Sequence, residues 1–120
     1  VITGPFLTDR SKIELRNQSA KTPGILAKAG VKTAIMTDHP CTPVQYLPLC
    51  AAVAVREGMD ETEALRAITI NPAEITGIAD RVGSLETGKD ADIIVMDGHP
   101  LELRSRVLYT IINGRVVRRA

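Results

Sequence analysis

The chain has 120 residues, with 15 Lys plus Arg against 14 Asp plus Glu for a net charge of +1. That balance argues against a dedicated nucleic-acid surface. Apolar residues make up 44%, enough for one modest core and too many for a disordered segment. The longest mainly apolar run, Leu47–Val55, falls far short of the ~18 residues a membrane helix needs, so no membrane partner is expected.

The one basic cluster, Arg115, Arg118 and Arg119, reads as a solvated end. Two cysteines, Cys41 and Cys50, make no disulfide framework and no C-x-x-C pair, and a reducing, cytoplasmic setting is expected. Cys50 lies in an apolar helix and reads as inert core. Cys41 lies beside Asp38 and His39 and would be reactive if exposed. No basic n-region and apolar h-region open the chain, so no signal peptide is expected. Val1-Ile2-Thr3-Gly4-Pro5 reads as a strand already under way, the expectation for a fragment of a longer protein.

Val1–Gly4 is the first predicted strand, closed by Gly4-Pro5. Phe6–Ser19 is a polar loop. Thr22 is a candidate cap for a helix over Pro23–Ala29, because proline at the first helical position loses no needed N–H. Gly30 ends that helix in the left-handed conformation. Val31–Thr37 is short, apolar and bounded by turn residues, which reads as a buried strand. Strand, helix and strand in this order make a βαβ unit with parallel strands. The second strand stops at Thr37-Asp38-His39-Pro40, and α/β barrels present catalytic groups at such strand ends.

A second helix is predicted from Val44 or Leu47 to Glu57, stopped by Gly58. Asp60, with Glu63 three residues on, is close to a capping box for a third helix over Glu61–Ile70. Asn71-Pro72 is expected to end it and restart a short turn over Pro72–Thr76. Beyond Gly77 the pattern becomes short β runs between glycines. Ala91–Met96 is a predicted strand with a turn at Asp97-Gly98. Val107–Ile112 and Arg115–Arg118 flank Asn113-Gly114, a strong hairpin signal for a type I′ turn.

Four features stand in order. They are the strand ending in Thr37-Asp38, the helix pair closing on Asn71-Pro72-Ala73, the run Gly83–Val95 (GSLETGKDADIIV), and the terminal Ile112-Asn113-Gly114-Arg115-Val116-Val117. This ordered set resembles the C-terminal end of the metal-dependent amidohydrolase superfamily, particularly its imidazolonepropionase-like members. The resemblance implies an α/β fold: residues 1–76 as the last βα units of a (β/α)8 TIM-type barrel, and 77–120 as strands of a small β-sandwich.

It also implies a role for Asp38. In such enzymes the final barrel strand ends in an aspartate that ligates a divalent ion, usually Zn with Fe, Mn or Ni as alternatives, and takes the proton of the attacking water. The remaining ligands, histidines on the first, fifth and sixth barrel strands, have no counterpart here, because His39 and His99 are the only histidines. His39 is a candidate substrate-facing residue. The implied activity is hydrolysis of a C–N bond in a cyclic amide or related small molecule, with the isolated chain inactive.

Blander readings stand beside these. Asp38 could cap a turn, and His39 could be a loop histidine satisfied by backbone groups. His99 reads as a surface residue. Asp90, Asp92 and Asp97 read as strand-edge and turn carboxylates, since their spacing does not match an EF-hand loop. Gly83–Lys89 lacks the hydroxyl and the strand-to-helix setting of a phosphate loop. Tyr46 borders a substrate pocket or packs. The alternative to an enzyme is a non-catalytic truncated barrel module. Its uncovered strand edges and helix faces would make it a homo-oligomer or bind a partner.

Overall fold

A computed structural model describes residues 1–120. Strand β1 (Ile2–Thr3) lies parallel to β2 (Ala34–Ile35), with Ile2 opposite Ala34 and Thr3 opposite Ile35. Ala34 N–H donates to Val1 O at 2.8 Å and Met36 N–H to Thr3 O at 2.9 Å. Helix α1 (Thr22–Lys28) makes the crossover, as the βαβ reading requires. It begins one residue earlier than expected. Thr22 caps nothing and is itself helical, while Ser19 Oγ accepts from the Lys21 N–H at 3.2 Å.

Both strands are shorter than their apolar runs. On the outer edge of β2 the Ile35 N–H donates to Ala67 O at 2.9 Å, and Thr33 O accepts from Asn71 Nδ2 at 2.9 Å. Both groups face the edge away from β1. The joint between two helices therefore stands where a neighbouring strand's ladder would be.

Three helices build the core beside this pair: α2 (Leu47–Arg56), α3 (Glu61–Arg66) and α4 (Ile70–Thr76). Asp60 Oδ1 accepts from the Glu63 N–H at 3.0 Å, so the expected cap of α3 is present. The restart at Asn71-Pro72 is not. Helix α4 begins at Ile70, with Pro72 in its first turn, where a missing N–H leaves no bond unmade. Ile35, Cys50, Ala51, Ala54, Met59, Ala64 and Ala67 form the buried cluster. Small side chains dominate it, so backbones approach closely: a Cβ on Gly24 would sit 3.1 Å from the Met59 backbone. Cys50 is fully buried, as expected, and burial pushes its thiol pKa up.

The remaining strands, β3 (Ile93–Met96), β4 (Val107–Ile112) and β5 (Arg115–Arg119), form an antiparallel meander in that order. Asn113 and Gly114 both take positive φ, 50° and 73°, as a type I′ turn demands. The three aspartates act as the sequence suggests. Asp92 Oδ1 accepts from the Asn113 N–H and Asp97 Oδ1 from the Arg106 N–H, while Asp90 pairs with Arg81. His99 is exposed and donates from Nε2 to Glu61 at 3.0 Å, tying the meander to α3.

Candidate functional site

The site grows from the ends of β1 and β2. Beyond β1, Gly4 adopts φ 141°, and a Cβ there would lie 2.1 Å from Met36 O. Only glycine permits so close an approach of the two strand ends. The chain leaving β1 thus runs directly alongside the chain leaving β2.

Past Met36, residues Thr37–Thr42 close into a small loop. Thr42 N–H donates to Thr37 O at 3.2 Å, and within the loop Cys41 N–H donates to Asp38 O at 2.8 Å. The His39-Pro40 peptide is cis, the arrangement of a type VI turn with proline third. Thr37 and Thr42 are buried, whereas Asp38, His39, Pro40 and Cys41 are exposed. Two buried threonines therefore hold up four exposed residues.

Asp38 has φ 53°, a conformation that non-glycine residues adopt seldom and that clusters at functional sites. Its carboxylate enters no hydrogen bond or ion pair within the chain. The turn is closed by the Asp38 backbone oxygen, so the side chain is not a cap. His39 is likewise exposed, with no hydrogen bond to its ring. Cys41 is a free thiol at the surface of the same turn.

The arrangement presents one uncommitted carboxylate and one uncommitted imidazole beside the mouth of a parallel strand pair. That is the chemistry of a divalent-cation ligand or a proton acceptor. No three His, Cys, Asp or Glu side chains of the chain come together. Asp38 thus fits a divalent ion as one donor of a set and not as a site by itself, since three or four protein ligands are needed. Tyr46 is exposed on the 3-10 turn Val44–Tyr46 just after this loop.

Residues 6–117 match the model of the amidohydrolase family. The chain belongs to that family. The matched span contains Asp38, Asn71-Pro72, β3, β4 and the start of β5. An N-substituted formamide deformylase of Arthrobacter pascens is 37% identical over 103 residues, covering 72% of this chain and 19% of that protein. An imidazolonepropionase of Geobacillus kaustophilus is 44% identical over 75 residues, covering 60% of this chain and 18% of the other. In three dimensions the chain superposes on an amidohydrolase from Thermotoga maritima with a TM-score of 0.95 at 44% identity. That match covers 99% of this chain and 31% of the other. The amidohydrolase chain thus spans about a fifth of the curated relatives and about a third of the solved structure.

Asp38 and His39, the predicted pair, stand together on the exposed turn, and Thr42, for which no role was predicted, is buried at its end. The signal in the sequence is faint: Thr33 and Thr37 flank the apolar Ala34–Met36, and both prove buried, as does Thr42.

Proposed function

We propose that this chain supplies the last barrel strand and part of the β-sandwich of a metal-dependent hydrolase that cleaves a C–N bond in a cyclic amide or related small molecule. The observation that carries the reading is Asp38: a carboxylate at a strand mouth, on left-handed backbone, bonded to nothing in its own chain. Family membership, with relatives named as a deformylase and an imidazolonepropionase, supports the bond class. Superfamily members generally use divalent metals. Such an ion, Zn being the first candidate, supplies Lewis acidity when bound. Asp38 would be one of its holders, and histidines elsewhere in the longer polypeptide would be the others.

The chain's own residues have simple tasks. Asp38 accepts the proton of the attacking water on a carboxylate oxygen and returns it to the leaving nitrogen. His39, next to it and equally exposed, faces the substrate. Two free cysteines, one of them exposed, suit a reducing cytoplasmic setting. In the full enzyme, Asp38→Asn is expected to lower kcat by roughly 10²- to 10⁴-fold. The melting temperature should hold, because the carboxylate has no structural partner. Near-parental turnover in that variant would sink the assignment.

One observation favours a second reading, a non-catalytic module that pairs with itself or a partner. Apolar side chains stand exposed on the meander, Ile94 at 53% and Val116 at 60% among them. The solution size of the 120-residue chain tests it, a mass above that of the monomer being expected.

A further inference from the structure

The Asp38 turn is anchored by a side chain that no catalytic reading has used. Thr42 is 2% exposed. Its hydroxyl donates to Leu7 O at 3.1 Å, and its own N–H donates to Thr37 O at 3.2 Å. The first bond crosses 35 residues of sequence and joins the loop after β2 to the loop after β1. The second closes the six-residue loop that holds Asp38. A single buried residue therefore fixes both the shape of the turn and its place relative to the neighbouring strand.

Asp38 needs such a fixture. Its φ of 53° is an unfavoured conformation, sustained only when the surroundings over-determine it. Beyond the two bonds inside the loop, Thr42 N–H to Thr37 O and Cys41 N–H to Asp38 O, the turn's hydrogen bond to the body of the chain is that of the Thr42 hydroxyl on Leu7 O. Asp38, His39, Pro40 and Cys41 are all exposed. Resting on the assignment of Asp38 above, we propose that Thr42 is a positioning residue: its hydroxyl bond to Leu7 O holds the Asp38 carboxylate in its working place.

A displacement of about 1 Å at a reacting group costs up to roughly a hundredfold in rate. In the full enzyme, Thr42→Val keeps the branched shape and removes the O–H. It is expected to lower kcat roughly tenfold to a hundredfold with KM unchanged, because substrate contacts remain. Thr42→Ser keeps the hydroxyl and is expected to recover most of the loss. In the 120-residue chain, amide exchange at Cys41 should quicken in Thr42→Val and stay parental in Thr42→Ser.

Parental kcat in Thr42→Val would overturn the proposal. So would equal losses in the Val and Ser variants, since Ser keeps the hydroxyl and an equal loss there would mean that keeping the hydroxyl does not preserve turnover. Asp38→Asn in the same series separates the two claims. If it retains turnover, the reading of Asp38 fails, while the exchange data still decide whether Thr42 holds the turn. If it abolishes turnover and Thr42→Val does not slow it, the positioning role alone falls.

Discussion

At the scale of single residues, the engaged carboxylate of Glu86 contrasts with the free one of Asp38. Glu86 is engaged: Lys89 Nζ donates to it at 2.7 Å and to Ser84 Oγ at 2.6 Å, and the Ser84 hydroxyl donates to the same carboxylate. The Lys89 hydrogen bond, then that of Ser84, hold the Glu86 pKa below its ordinary 4.5. A carboxylate with a depressed folded pKa stabilises the fold above its unfolded value, and that contribution is lost as pH falls through the folded one. Lys89→Met keeps much of the half-buried alkyl stem and removes the charge. It should therefore be less stable than the parent at pH 7, and the gap should close as pH drops below about 4. Urea midpoints of both proteins between pH 7 and pH 3 check this. A gap that stays constant would show that Lys89 acts through packing alone. The effect is small, because Glu86 is exposed and solvent screens the pair.

Among the elements, the joint between α3 and α4 matters most to the site. Asn71 is 4% exposed and its amide donates to Thr33 O, while Ala67 O receives the Ile35 N–H. These two bonds satisfy the outer edge of the strand that leads to Asp38. Asn71→Ala leaves a buried carbonyl unpaired and is expected to cost about 1–3 kcal/mol. Chemical denaturation measures it, and a loss below about 0.5 kcal/mol would mean that water replaces the amide. The sequence announced the strand through its apolar run and its end through Thr37-Asp38. It announced the hairpin through Asn113-Gly114 and the cap of α3 through Asp60 and Glu63. Each of those signals is local, set by neighbours within a few residues. Asn71 was read as helix punctuation because its partner lies 38 residues away. Thr42 went unnoticed for the same reason, its partner being 35 residues away. Strand lengths were overestimated because an apolar run records burial, whereas pairing depends on what stands on the other edge.

The whole molecule is short of interior. Only 16 of its 120 residues are buried, and six of the nine apolar ones are alanines, the others being Ile35, Cys50 and Met59. The radius of gyration is 14.9 Å with extents of 45 × 29 × 24 Å, against about 13.6 Å for a compact domain of this length. The elongation comes with a three-stranded sheet whose residues on both sides remain partly open, Ile94 and Ile112 on one and Val95 and Val116 on the other. Beside it an apolar groove of 520 Å³ runs between α4 and β3, lined by Ile68, Pro72, Ala73, Leu85, Ile93 and Ile94. Uncovered apolar area of this kind is worth roughly 25 cal/mol per Å² when removed from water. Sheet edges with free backbone groups recruit other chains as well. The 120-residue chain alone is therefore expected to self-associate, with light scattering giving a mass above the 12.9 kDa monomer and rising with concentration. A monodisperse 12.9 kDa species at all concentrations would mean that the exposed faces are tolerated by water. That result would remove the ground for a self-pairing module while leaving the Asp38 reading untouched, because the carboxylate lies at the β1–β2 mouth and not on the meander.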